Sequence, residues 1–164
     1  MYARVYSAAV KGIDACPVEA EIHIVRGQPF LTIVGLPDTG VKESKDRIRS
    51  AFGNGKYEFP HGCVTTINLA PADIKKSGAH FDLPIAVAYL IASNQIKPFK
   101  TDDKIFVGEL SLDGSVRSVS GTLSIARLAQ RKKIPFIFVP KSNAPEAAVI
   151  KNVRVIPVSN IREL

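Results

Sequence analysis

Residues 81–96, FDLPIAVAYLIASNQI, are apolar on nearly every side of the helix that their length and composition predict. A helix of that kind has no face to offer to water and must lie at the centre of a fold. The rest of the chain has to cover it, and its first third reads as strands. Residues 2–10 and 18–27 alternate apolar and polar side chains, the period of a half-buried strand. In the second run Val18, Ala20, Ile22 and Ile24 face one way, and Glu19, Glu21 and His23 the other. His23 is therefore read as an idle histidine on the polar face of a sheet. PFLTIVGLP (29–37) and CVTTINLAP (63–71) add two further strands.

Residues 38–55, DTGVKESKDRIRSAFGNG, predict a helix capped by Asp38 or Thr39 and stopped by Gly53 and Gly55. Val41, Ile48 and Phe52 share its inner face, and Lys42, Lys45 and Arg49 fall together on a flank. That flank is either an ordinary solvated face or a surface for DNA or another partner. The Asp113-Gly114 pair marks a hairpin turn between 103–110 and 115–120. Helix 121–133, strand 135–140, short helix 144–150 and strand 153–158 complete an α/β pattern that suits one domain.

Composition narrows the function classes. With 46% hydrophobic and 23% charged residues among 164, the chain can bury a core and is not disordered. No apolar run approaches the roughly 18–20 residues of a membrane span, and no signal sequence opens the chain, so a cytoplasmic protein without a membrane partner is expected. Cys16 and Cys63, read as small core residues, and His23, His61 and His80 show no metal-ligand spacing, so no metal site is expected. The net charge of +7 permits binding to a polyanion if the cations gather on one face. GNGK at 53–56 is not a phosphate loop: Ser50 stands where the first glycine belongs and Tyr57 where Ser or Thr should follow the lysine.

The stretch SGAHFD, residues 77–82, invites a catalytic reading. Ser77 as nucleophile, His80 as base and Asp82 as orienter would need two hydrogen bonds of roughly 3 Å formed at once within six positions. Asp82 fits better as the N-cap of a helix starting at Leu83 and Pro84, because proline is favoured at the first helical position.

Three separated motifs carry a resemblance: VGLPDTGVKESKDRIRSA, NLAPADIKKSGAHFDLPIAVAYL, and FVGELSLDGSVRSVSGTLSIARLAQRKKIPFIFVPKSNAPEA. The chain resembles the N-terminal domain of the magnesium-chelatase-like AAA ATPases of the YifB and ComM type. That domain is similar to the proteolytic domain of Lon protease. The resemblance implies a ribosomal-protein-type two-layer α/β sandwich, a mixed sheet backed by helices with a left-handed βαβ crossover, against the general rule. Lon-type enzymes use a Ser-Lys dyad. Aligning their motifs puts His80 at the nucleophile position and Leu123 at the base position, and leucine cannot accept a proton. A degenerate, non-catalytic domain with regulatory or assembly roles is therefore expected.

By the same resemblance, ATP and magnesium belong to an ATPase domain expected after this one and none to this domain. The expected partners are that ATPase domain, further copies of the chain, and DNA. The candidate DNA contacts are Lys42, Lys45, Arg49, Lys75 and Lys76, while Arg131, Lys132 and Lys133 form a weaker candidate cluster because a helix C-terminus favours cations anyway. Direct DNA binding by this domain, and a residual Lon-like serine hydrolase, are the alternatives.

Overall fold

The structure is a computed structural model that describes residues 1–59 and 61–164. Among these residues nine strands and five α-helices follow one another: β1 (Tyr2–Lys11), β2 (Asp14–Arg26), β3 (Phe30–Val34), α1 (Thr39–Lys42), α2 (Ser44–Gly53), β4 (Cys63–Ala70), α3 (Asp82–Ala92), β5 (Lys104–Phe106), β6 (Glu109–Leu110), β7 (Val116–Arg117), α4 (Thr122–Lys132), β8 (Phe136–Pro140), α5 (Ala144–Ala147) and β9 (Arg154–Val158). Seven strands form one sheet in the order β3-β4-β2-β1-β5-β8-β9, and β6 and β7 form a separate hairpin. The β2 strand pairs antiparallel with both β1 and β4, while the remaining neighbours pair in parallel. This is the mixed sheet backed by helices that the resemblance implies, where the residue pattern alone predicts only α/β.

Alternation along β1 divides the core. Ala3, Val5 and Ala9 enter one apolar cluster with α2 and α3, whereas Tyr6, Ala8 and Val10 belong to another with α4, α5 and β8. All of α3 is buried except Ile91, as a helix apolar on every side requires. It packs Leu83, Val87 and Leu90 into the first cluster beside Ile22, Ile67 and Phe52. The second cluster lies on the opposite face, under the amphipathic α4, which buries Ile125, Ala126, Leu128 and Ala129. Over the β3-β4-β2 half that opposite face is polar. There Glu21 accepts from Tyr2 (2.8 Å) and Asn68 (2.8 Å), Arg4 pairs with Glu19 (3.3 Å), and His23 is exposed as expected.

Two differences from the expected elements have physical causes. The helix expected over 38–55 is broken at Glu43, because Arg47 Nη2 donates to the Gly40 carbonyl at 2.7 Å. A continuous helix would give that carbonyl to the Ser44 amide. Cys16 and Cys63 are half-buried rather than core residues, since they stand toward the ends of β2 and β4.

Candidate functional site

The segment between β4 and α3 is pinned before it reaches the helix. Lys76 exchanges backbone hydrogen bonds with the chain ahead of α1: its amide donates to Leu36 O (3.1 Å) and its carbonyl accepts from Asp38 N (3.0 Å). Asp38 then works twice. One carboxylate oxygen caps α1 by accepting from Val41 N (2.9 Å), and the other accepts from Gly78 N (3.1 Å). Gly78 turns with φ near +88°, where a side chain would be strained, and a single 3-10 turn, Ala79–Phe81, leads into α3.

That turn places His80 under β1. Its Nε2 lies 3.0 Å from Ala8 O, and a carbonyl only accepts, so Nε2 carries the hydrogen and Nδ1 is the free acceptor. The ring packs against Phe81 at 4.1 Å, and burial pushes the imidazole below its ordinary pKa. Ser77, Gly78, His80, Glu109, Ser118 and Ser120 bound a cleft of about 360 Å³. The two segments that the resemblance singles out thus meet at one place. Asn143 holds the second wall, accepting from Val119 N (2.9 Å) and donating to Val119 O (2.8 Å).

Neither catalytic arrangement is assembled there. Leu123 lies in the first turn of α4, and its amide donates to Glu146 Oε1 at 3.1 Å. Its side chain offers no base. Asp82 does not orient His80, and the capping role expected for it is corrected as well. The helix begins at Asp82 itself, Phe81 occupies the cap position in a helical conformation, and no side chain caps the turn. With the preceding 3-10 turn already helical, no extended residue is left to act as cap.

The Asp82 carboxylate is instead fully buried and turned toward α2. It accepts from Ser44 Oγ (2.5 Å), Arg47 Nε (2.6 Å), Arg47 Nη2 (3.0 Å) and Leu110 N (3.1 Å). These bonds hold the Arg47 guanidinium above its already high pKa. Asp82 joins α2, α3 and β6 and has no acceptor capacity to spare for the cleft.

The candidate DNA contacts separate into two kinds. Lys42, Lys45, Arg49 and Lys75 are exposed. Among the described residues, Lys42, Lys45 and Arg49 make no ion pair. Lys76 is corrected: its side chain is buried, with Nζ donating to the Pro71 carbonyl, and desolvation pushes its pKa down. It cannot meet a phosphate. In the weaker candidate cluster, Arg131 pairs with Asp14 at 3.6 Å.

Sequence spacing missed Arg47, Ser44, Glu146 and Asn143. Each acts through a partner far along the chain, so no local pattern marks it. The buried charge of Asp82 was the one usable signal, because a carboxylate inside an apolar helix start needs a cation somewhere.

A family profile described as subunit ChlI of Mg-chelatase matches residues 20–143. The chain belongs to this magnesium-chelatase subunit family. It is 47% identical over 146 residues to the uncharacterized protein YifB of Escherichia coli, covering 89% of this chain and 28% of that protein. It is 43% identical over 148 residues to competence protein ComM of Haemophilus influenzae, covering 90% and 29%. A more distant likeness, 28% over 141 residues, reaches Lon protease of Roseiflexus castenholzii, covering 82% of this chain and 17% of the protease. The chain therefore spans less than a third of the length of these two curated relatives. No helix among the described residues is long and apolar enough to cross a membrane.

Proposed function

We propose that this chain is a non-catalytic regulatory and assembly domain of a magnesium-chelatase-like ATPase, built on a Lon-like scaffold whose chemistry has been lost. The observation that carries this reading is the commitment of Asp82 to Arg47, Ser44 and the Leu110 amide. The carboxylate that a histidine base would need is spent on joining three elements, and Leu123 stands where a lysine base is required. ATP and magnesium would be handled by the part of the protein outside this chain, which would also be its first partner. Self-association of the whole protein and a cytoplasmic location are parts of the same proposal.

The test is direct. Incubation with a fluorophosphonate serine probe and with casein should give neither labelling nor cleavage. Labelling that disappears in Ser77→Ala would overturn the reading in favour of the residual hydrolase. Its assembly part is tested on the full-length protein with and without residues 1–164: loss of the oligomer, seen by light scattering, is the expected result, and an unchanged oligomer would refute it.

A second reading is favoured by a separate observation. Lys42, Lys45 and Arg49 stay exposed on α1 and α2, and the net charge is +7. Contact between this surface and DNA phosphates would give weak, salt-dependent binding, with dissociation constants of roughly 0.1 mM to 1 μM. Several linked copies would strengthen it.

A further inference from the structure

Helix α3 packs on β1 and β2 and only touches β5, so its side of the sheet is less covered toward β8 and β9. The opposite side of those strands lies under α4 and α5. Strand register aligns Phe106, Phe138 and Ile156 in one row across β5, β8 and β9, on the α3 side. Phe106 and Phe138 stack at 4.5 Å, and a groove of about 290 Å³ opens over the row. Phe99, 41% exposed, comes from the segment between α3 and β5 and joins Leu164 in lining it. Lys104 and Glu163 are the only charged side chains among the described residues of its lining. Both are engaged: Lys104 pairs with Asp103 at 2.5 Å, and Glu163 accepts from the Ser159 amide at 2.9 Å. The groove therefore offers apolar contact and little else. The turn beside it, Ile161–Glu163, is held firmly. Asn160 caps it by accepting from Arg162 N (3.0 Å), and Ile161 N donates to Gly114 O (2.9 Å). The backbone reaches the groove in a fixed direction, and whatever follows Leu164 starts at its wall.

We propose that this groove is the docking site for the segment of the full-length protein that immediately follows Leu164, which lays apolar side chains on Phe99, Phe138 and Ile156. It rests on the reading above, that an ATPase part follows this domain, and names the surface through which the two are joined. The lengths of the relatives support it, since this chain spans less than a third of YifB and of ComM. Tethering favours this occupant over a second copy. A segment attached at the wall of the groove is present there at an effective concentration of the order of millimolar. A separate copy must come from solution and give up its translational freedom to bind. A polyanion has no footing in the groove, because Lys104 is already paired and Glu163 would face the phosphates. An apolar face enclosed in this way also stops being an open patch on the surface.

The test is photo-crosslinking in the full-length protein, with Phe99 replaced by p-benzoylphenylalanine and the products mapped by peptide mass spectrometry. Irradiation should join position 99 to residues shortly after 164 in the same chain. The same crosslinker in place of Phe30, which the register puts on the opposite face of the sheet, should not give that product. Ile156→Glu brings an unpaired charge into the contact and should lower the yield about tenfold or more. Ile156→Ala, which only removes apolar surface, should lower it in the same direction and serves if the first variant fails to fold, as judged by its thermal midpoint. A crosslink to a second copy would overturn the inference in favour of self-association through the groove. A crosslink only to positions remote from 164, no crosslink at all, or a yield that neither variant changes would overturn it too. If position 99 gives no such product while removal of residues 1–164 still abolishes the oligomer, docking falls and the assembly reading stands. If the product forms and the oligomer is indifferent to that removal, docking stands and the assembly reading falls.

Discussion

Arg47 Nε stands 2.6 Å from Asp82 Oδ2, and the carboxylate it meets has no exposure to solvent. The pair lies between α2 and the start of α3, with Ser44 and the Leu110 amide filling the remaining acceptor positions. Removing one member of such a pair leaves the other charge uncompensated, which generally costs about 3–5 kcal/mol. Asp82→Ala should therefore lower the urea-unfolding free energy by about that amount, well beyond the roughly 0.5–2 kcal/mol of a lost helix cap. A loss inside the cap range would mean that the pair adds nothing beyond local helix geometry.

Glu146 caps α4 from another helix, accepting from Thr122 Oγ1 (2.6 Å) and Leu123 N (3.1 Å). The Thr122 hydroxyl holds its carboxyl below the usual range against the smaller opposing effect of burial, and the Leu123 amide and Asn143 side chain add to the lowering. A depressed carboxyl contributes stability that is present above its unfolded pKa and lost as pH falls through the folded one. Glu146→Ala should cost roughly 0.5–2 kcal/mol at neutral pH, as other lost caps do. In urea titrations at falling pH the difference between variant and parent should shrink below about pH 4, near the ordinary glutamate range. A difference that stays constant down to pH 3 would count against the cap.

His80 is expected to make the domain acid-sensitive. Desolvation lowers its pKa, outweighing the Ala8 carbonyl and the nearby Asp82 and Asp38, which favour the charged ring. The folded state therefore binds a proton less readily than the unfolded chain. Stability that is complete above about pH 6.5 is lost as pH falls through the lower folded value. The unfolding midpoint should drop between pH 6.5 and 5 in the parent and stay flatter in His80→Gln. An identical slope in both would assign the acid sensitivity elsewhere.

Lys76 gives the opposite end of the scale. Its buried ammonium has the Pro71 carbonyl as its hydrogen-bond acceptor, and desolvation lowers its pKa against the weaker pull of Asp73. Between the folded value and about 10.5 the unfolded chain holds a proton that the folded chain has released, so stability rises with pH across that window. Lys76→Met keeps the volume and removes the charge. It should raise the unfolding midpoint at pH 7 and abolish the alkaline rise. A lower midpoint would show that the lysine head makes a net favourable contribution.

Much of this architecture is legible in short-range pattern. The alternation of Val18, Ala20, Ile22 and Ile24 with Glu19, Glu21 and His23 is the two-faced β2 of the structure, and α3 is enclosed as its composition demands. The Asp113-Gly114 turn joins β6 to β7, and Gly53 closes α2. What stayed hidden depends on partners distant in sequence. Asp82 looked like a cap because Pro84 follows it, yet its contacts come from Ser44, Arg47 and Leu110. Lys76 looked like half of a basic loop beside Lys75, yet the backbone pairing with Leu36 turns its side chain inward. Spacing along a chain reports which residues share a face of one element. It does not report which elements will meet.

The position of β1 at the middle of the seven strands bears on how the molecule is made. Synthesis delivers β1 before the other strands of this sheet, and β2 can fold back on it at once through a short turn at Gly12. The other edge of β1 waits for β5, where Tyr6 finds Ile105, and for β8 and β9 beyond it. Until those strands are made the future centre of the sheet is an open margin, with Tyr6, Ala8 and Val10 uncovered until α4 arrives. Pairing over such separations is slow compared with local contacts. The nascent chain thus passes through a long-lived, half-built sheet whose exposed border invites the wrong neighbour. Trimming the first ten residues would remove the seam between the two halves, rather than a dispensable tail.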